Sequence, residues 1–265
     1  MEAIKNILRY RDRKDFLKSW YRERPFLTAA HLKYIAIITM LLSHISQTGY
    51  LYMFGPDYYK LAGSFTLIGR LAMPIFCFFT VQAVIFTKDI KKYLLRMLIF
   101  AGLSEIPFNL AFSKSLFDPY RKNVMFTLLI GALAIYGMDY IWKSKVNGVI
   151  KILLMAVIAY MGCLLADFMH TDYSSKGVLA IILLYLAKDS RTLTALALLV
   201  AFKFEAVMPG GFTAITYGVV YLSIPLIVLY NAQKGKQNRW AFYFFYPAHL
   251  MILYILMEIR MQSFI

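Results

Sequence analysis

Seven apolar runs of roughly 20 residues or more recur down the chain, at residues 32–54, 63–87, 93–112, 123–142, 147–168, 212–231 and 240–259. A helix rises ~1.5 Å per residue, so about 20 residues cross a ~30 Å hydrocarbon core. Two shorter runs fill residues 177–204 and are separated by Lys188, Asp189, Ser190 and Arg191. A single long tilted helix there would set four polar residues at mid-membrane, which is expensive, so two short helices with a tight turn are expected. The fold expected is all-α, a polytopic transmembrane bundle of about nine helices. Composition agrees: 60% of residues are hydrophobic and 16% charged, against about 45–50% and 25% in soluble domains. One soluble core could not hide that much apolar surface, so lipid is the solvent for much of it.

The chain divides into a basic juxtamembrane segment, residues 1–31, and a transmembrane domain, residues 32–265. Residues 1–31 carry eight Lys or Arg and no apolar stretch long enough for a signal-peptide core. Ile4, Ile7, Leu8, Phe16, Leu17, Trp20 and Tyr21 recur near helical spacing among those charges. That is the pattern of an amphipathic helix lying on an anionic bilayer face. With a cytoplasmic N-terminus and nine helices, 21 of the 29 basic residues fall on the inside and 8 on the outside, which favours the N-in orientation. No nucleic-acid module is visible, so the net charge of +15 points to membrane surface and no nucleic-acid partner is expected. Cys77 and Cys163 both lie within apolar runs and lack metal-site spacing, which makes them packing residues; no metal is expected.

Within the expected spans, a handful of polar residues share one depth. His44 and Glu105 each lie twelve residues into their helices, about 18 Å along the axis. Arg70 and Asn123 stand near the outer starts of the second and fourth helices, and Asp167 and Asp172 at the outer end of the fifth. His249 lies nearer the midplane in the last helix. Ionisable groups inside a membrane are expensive and read as functional by default. Each has a purely structural counterpart: a hydrogen-bonded interior histidine, a Glu105–Arg70 ion pair, a helix cap at Asn123, loop caps at Asp167 and Asp172. Ser43 cannot form a nucleophile–base pair with His44, since neighbours in sequence point apart on a helix.

Several segments, in order, resemble the TraX family, the membrane-bound pilin acetylases and their relatives. They are Leu32-Lys33-Tyr34-Ile35-Ala36 running to His44-Ile45, Gly69-Arg70-Leu71-Ala72-Met73-Pro74-Ile75-Phe76, residues 96–100, and Ser104-Glu105-Ile106-Pro107-Phe108. Next come Asn123-Val124-Met125-Phe126-Thr127-Leu128, Ala166-Asp167, Thr171-Asp172-Tyr173, Gly177-Val178 and Phe245-Tyr246-Pro247-Ala248-His249-Leu250. The likeness covers roughly residues 32–255 and implies kinship with transmembrane acyltransferases such as the lysosomal heparan glucosaminide acetyltransferase. It implies acetyl transfer from cytosolic acetyl-CoA, the acyl-donor co-substrate, to an amine or hydroxyl across the membrane; pilin, an envelope glycan and a small amine all remain open as acceptor. Under that reading His44 takes a proton or carries the acetyl group, Arg70 and Asn123 steady the oxyanion, and Glu105 holds Arg70 or His44. Asp167, Asp172 and His249 are then substrate-binding. The chain departs from the family at Ser43, where an aspartate commonly precedes the histidine. Two other readings stay open from sequence: a transporter or flippase for an anionic or lipid-linked solute, and a non-catalytic scaffold of the same fold.

Overall fold

Side-chain caps start most of the helices. Thr28 Oγ1 accepts the His31 amide while the Thr28 amide reaches His31 Nδ1, a reciprocal box that opens α1, Ala29–Gln47. Asp89, Asn123, Asn147, Ser190 and Asn238 likewise accept amide hydrogens in the first turns of the helices they precede. The computed structural model describes residues 26–203 and 218–263. The amphipathic segment expected before residue 26 lies outside the described residues.

After α1 come two 3-10 turns, Tyr50–Phe54 and Pro56–Tyr58, then α2 Tyr59–Gly69, α3 Ala72–Phe86, α4 Ile90–Ser113 and α5 Val124–Lys143. They are followed by α6 Gly148–Phe168, α7 Ser174–Leu186, α8 Arg191–Ala201, a 3-10 turn Gly218–Leu222, α9 Ser223–Val228 and α10 Arg239–Gln262. Among the described residues, six segments are long and apolar enough to span a membrane, α2 and α3 counting as one, and three shorter apolar helices join them. The nine-helix all-α bundle therefore stands among the described residues, which hold two isolated β-bridges and no extended strand. The protein is a multi-pass integral membrane protein. Its most peripheral helix shows why: along α6 only Met155 and Ala166 are buried, while Leu153, Val157, Tyr160 and Leu164 face outward. Only lipid can solvate such a face.

The expected boundaries need three corrections. The first helix ends at Gln47 rather than running to 54, because Gly49 takes a left-handed φ of 90° and the chain tightens into 3-10 turns. The second span breaks at Arg70 and Leu71. The pair of short helices at 177–204 is present, turned by residues 187–190, with Ser190 capping α8. Of the run at 212–231, residues 218–231 are described, and they form a 3-10 turn and the six-residue α9 rather than one continuous helix.

α1 packs most closely on α2; α5, α6 and α7 pack mutually, and α10 lies along α4. At the α1–α2 crossing an added Cβ on Gly69 would come within 2.1 Å of the Ser43 Cβ, so only glycine lets the helices approach this far. Ser46 reinforces the contact by donating to the Ala62 carbonyl and accepting from Thr66 Oγ1, at 2.7 and 2.9 Å. Leu32, Ile75, Phe108, Ile135, Ile181 and Leu250 form the fully buried centre. This packing fixes the last turn of α1 against the middle of α10.

Candidate functional site

That juxtaposition brings two histidines 205 residues apart into direct contact. His44 Nδ1 lies 2.7 Å from His249 Nε2, with ring planes only 4° apart. His249 Nδ1 lies 2.7 Å from the Phe245 carbonyl oxygen one turn earlier on α10. A carbonyl can only accept, so His249 carries its hydrogen on Nδ1. In the neutral pair His249 Nε2 is then an acceptor, and His44 must donate from Nδ1. The remaining nitrogen, His44 Nε2, is left with a free lone pair. Aromatic rings wall the pair in: Phe245 stacks on His249 at 4.6 Å, and Phe112 meets His44 edge-on at 5.4 Å. Arg121 lies over the Phe112 and Phe108 rings, 4.8 and 5.2 Å from their centroids.

Two cavities adjoin at Met40, one turn before His44 on α1. One, of about 280 Å³, is polar and is lined by Ser43, His44, Gln47, Arg70 and Asp172 among others. The second, of about 300 Å³, runs toward the opposite end of the bundle between Lys33, Phe79, Tyr93, Arg96, Tyr243 and Tyr246. Met40, Phe76 and Val124 line both and form the partition between them. At the far end Lys33 Nζ sits 5.0 and 5.7 Å from the Phe79 and Phe242 centroids. The second cavity thus combines two cations with an aromatic wall, a composition suited to an anionic ligand with a long apolar or amide-bearing arm.

Asp172 is set into the polar cavity by a short parallel bridge. The Lys122 amide donates to the His170 carbonyl at 3.0 Å and the Asp172 amide to the Lys122 carbonyl at 2.8 Å; the Thr127 hydroxyl donates to the Asp172 carbonyl. His170, Tyr173 and Ser174 all hold left-handed φ values, of 50°, 65° and 44°. Such backbone is strained and persists only where neighbours over-determine it. Burial pushes the Asp172 carboxyl above its ordinary value, and the nearby Arg121 charge and the Tyr173 amide oppose that rise.

The other sequence candidates divide. Arg70 sits in the helix break and lines the polar cavity. Glu105 is held by Lys122 Nζ at 3.3 Å and by Asn123 Nδ2 at 2.7 Å, which ties it to the start of α5. Asn123 is fully buried, and both its amide hydrogens are engaged, on Glu105 and on the Ala101 carbonyl at 2.9 Å. Its oxygen accepts the Met125 amide, so no donor is left for an oxyanion. Asp167 is exposed and accepts the Ser175 amide at 2.8 Å, a loop cap that lines neither cavity. Among the described residues no group of three or more His, Cys, Asp or Glu is placed to hold a metal ion.

The family model described as TraX protein matches residues 28–257. The chain belongs to the TraX family. Among curated relatives of this TraX chain, a probable fimbrial assembly protein FimC, serogroup H1, of Dichelobacter nodosus is 28% identical over 244 residues, covering 85% of this chain and 94% of the relative. An uncharacterized protein, RP591, of Rickettsia prowazekii (strain Madrid E) is 26% identical over 197 residues, 74% of this chain and 66% of that one. No solved structure matches. Three features of this TraX site escaped the sequence: the direct His44–His249 bond, the Arg121 cap over Phe112, and Tyr246. Only the last carried a local signal, its place three residues before His249 with Pro247 between them.

Proposed function

We propose that this TraX-family protein is a membrane-embedded acetyltransferase that moves an acetyl group from acetyl-CoA to an amine or hydroxyl acceptor on the opposite side of the membrane. The observation that carries the reading is the free Nε2 lone pair of His44 on a polar cavity that adjoins an aromatic one at Met40, one turn earlier on α1. The donor's phosphates would sit between Lys33 and Arg96, at the end that the basic-residue bias makes cytoplasmic. Its pantetheine arm would follow the aromatic cavity toward His44, eleven residues and about 16 Å further along α1. Arg70 and Asp172 would meet the acceptor in the polar cavity. The name of the Dichelobacter relative suits an acceptor among fimbrial subunits; envelope glycans and small amines are equally compatible with the cavity.

Chemically, Nε2 attacks the thioester carbon, the C–S bond breaks, and CoA leaves as a thiolate that takes up a proton. The acetyl group then sits on His44 while the Nδ1 hydrogen is shared with His249 Nε2, spreading the positive charge over both rings. The acceptor attacks from the polar cavity, loses its own proton and regenerates the imidazole. The net reaction converts acetyl-CoA and an amine or alcohol into CoA and an acetylated product.

The test is CoA release by purified protein in nanodiscs with acetyl-CoA, wild type beside His44→Ala. Release by the wild type alone is expected; equal release by a folded His44→Ala protein would sink the role of His44. Two cavities in series also describe a route for a small anionic solute. Uptake of such a solute into proteoliposomes without CoA present would favour that transport reading.

A further inference from the structure

The sequence candidates for an oxyanion donor leave the reaction short of one, and the structure holds an unassigned group at the right place. Tyr246 stands on α10 one turn from His249 and is only 5% exposed. Its phenol oxygen is buried and has no hydrogen-bond partner among the described residues. Leaving a buried hydroxyl unpaired is unfavourable, and native structures rarely tolerate it without a role. The side chain lines the aromatic cavity, and its ring lies 6.3 Å from that of His44 and 5.7 Å from that of His249. The backbone amide of Val124 is directed at the phenol oxygen, and no acceptor among the described residues takes the phenol hydrogen. Val124 is the first residue of the 20-residue α5 and belongs to the partition shared by both cavities. The amides of a helix's first turn have no partner within the helix and carry its positive dipole end.

We infer that Tyr246 is a catalytic residue: its phenolic O–H, backed by the N-terminus of α5, binds the oxyanion that forms when a thioester carbonyl is attacked at the partition. This rests on the acyl-transfer reading above. An unperturbed phenol is protonated at neutral pH and is a donor. His44 borders the polar cavity and Tyr246 the aromatic one, so a carbonyl passing Met40, Phe76 and Val124 lies between nucleophile and donor. As Nε2 bonds to carbon, the C=O electron pair moves onto oxygen, and the phenol hydrogen bonds to it. When the C–S bond breaks the carbonyl re-forms and the phenol is released unchanged. The same donor serves the second transfer, from His44 to the acceptor. Asn123, with both amide hydrogens engaged, cannot do this.

The experiment is Tyr246→Phe in nanodiscs, which keeps the ring and deletes only the hydroxyl. Removing one oxyanion donor lowers kcat by about a hundred-fold, so that loss is expected with KM for acetyl-CoA within about two-fold. Because the hydroxyl is unpaired in the resting protein, the variant should unfold at the wild-type temperature or slightly above it. A wild-type kcat in Tyr246→Phe overturns the assignment while leaving the acetyltransferase intact. Early unfolding also overturns it, since the hydroxyl would then serve the fold. Absence of CoA release from folded wild type overturns the acyl-transfer reading itself, and this role with it.

Discussion

Two polar clusters lie toward the same end of the bundle, and they are built on opposite plans. Around Glu105 the groups close on one another. Asn123 binds the carboxylate, the Ala101 carbonyl and the Met125 amide, and Lys122 bridges Glu105 to the Asp118 carbonyl at 2.6 Å. Around His44 the bonds run in one direction, from His44 through His249 to the Phe245 carbonyl, and leave a lone pair at one end and an unpaired phenol beside it. Being ionisable and inside a membrane therefore does not separate function from structure here. Placement does: the first cluster ties α4 to α5 and lines neither cavity, while the second sets His44 at the polar cavity and Tyr246 at the aromatic one.

The sharpest way to break this contrast after removing His44 is to cut its support. His249→Ala frees the His44 tautomer and leaves Nδ1 without an acceptor. Its rate of CoA release should fall roughly ten- to hundred-fold, the usual cost of losing an orienting partner. His249→Gln, whose amide oxygen can still accept from Nδ1, should recover part of that loss; no difference between the two would mean the tautomer lock is irrelevant. Next in size is the closed cluster. Asn123→Ala deletes a helix cap and two side-chain bonds, so stability in detergent should drop by about 2 kcal/mol. The rate per folded molecule should stay within about threefold of wild type, and a collapse in rate at unchanged stability would merge the two clusters into one site. Smallest is Asp167→Ala. Loss of one exposed cap should shift stability by no more than about 1 kcal/mol and leave turnover untouched; a large kinetic defect would restore Asp167 to the site.

Much of the architecture was legible in the sequence because membrane spans announce themselves by length and hydropathy. The turn at 187–190 was readable from four polar residues in a row, and the cap at Asn123 from its place before an apolar run. The break at Arg70 was harder, since the run at 63–87 stays apolar on both sides and the stop comes from α2 crossing α1 at Gly69. His44 stood out as an ionisable group at depth. Its bond to His249 did not, because periodicity reports which face a residue occupies on its own helix and says nothing about which helix it meets. Tyr246 was hidden for another reason. In an aromatic-rich chain with 20 tyrosines a phenol in an aromatic seam looks like packing, and only the missing hydrogen bond sets it apart.

The seat of Gly69 on Ser43 has a consequence for how such a protein can evolve. Position 69 is closed to side chains whichever residue stands at 43, because the clash is with the Cβ and Cα of that residue rather than with its particular side chain. The next residue along α1 is His44, so drift at that contact would also turn the imidazole. The freedom of an apparently structural glycine is thereby set by the chemistry beside it.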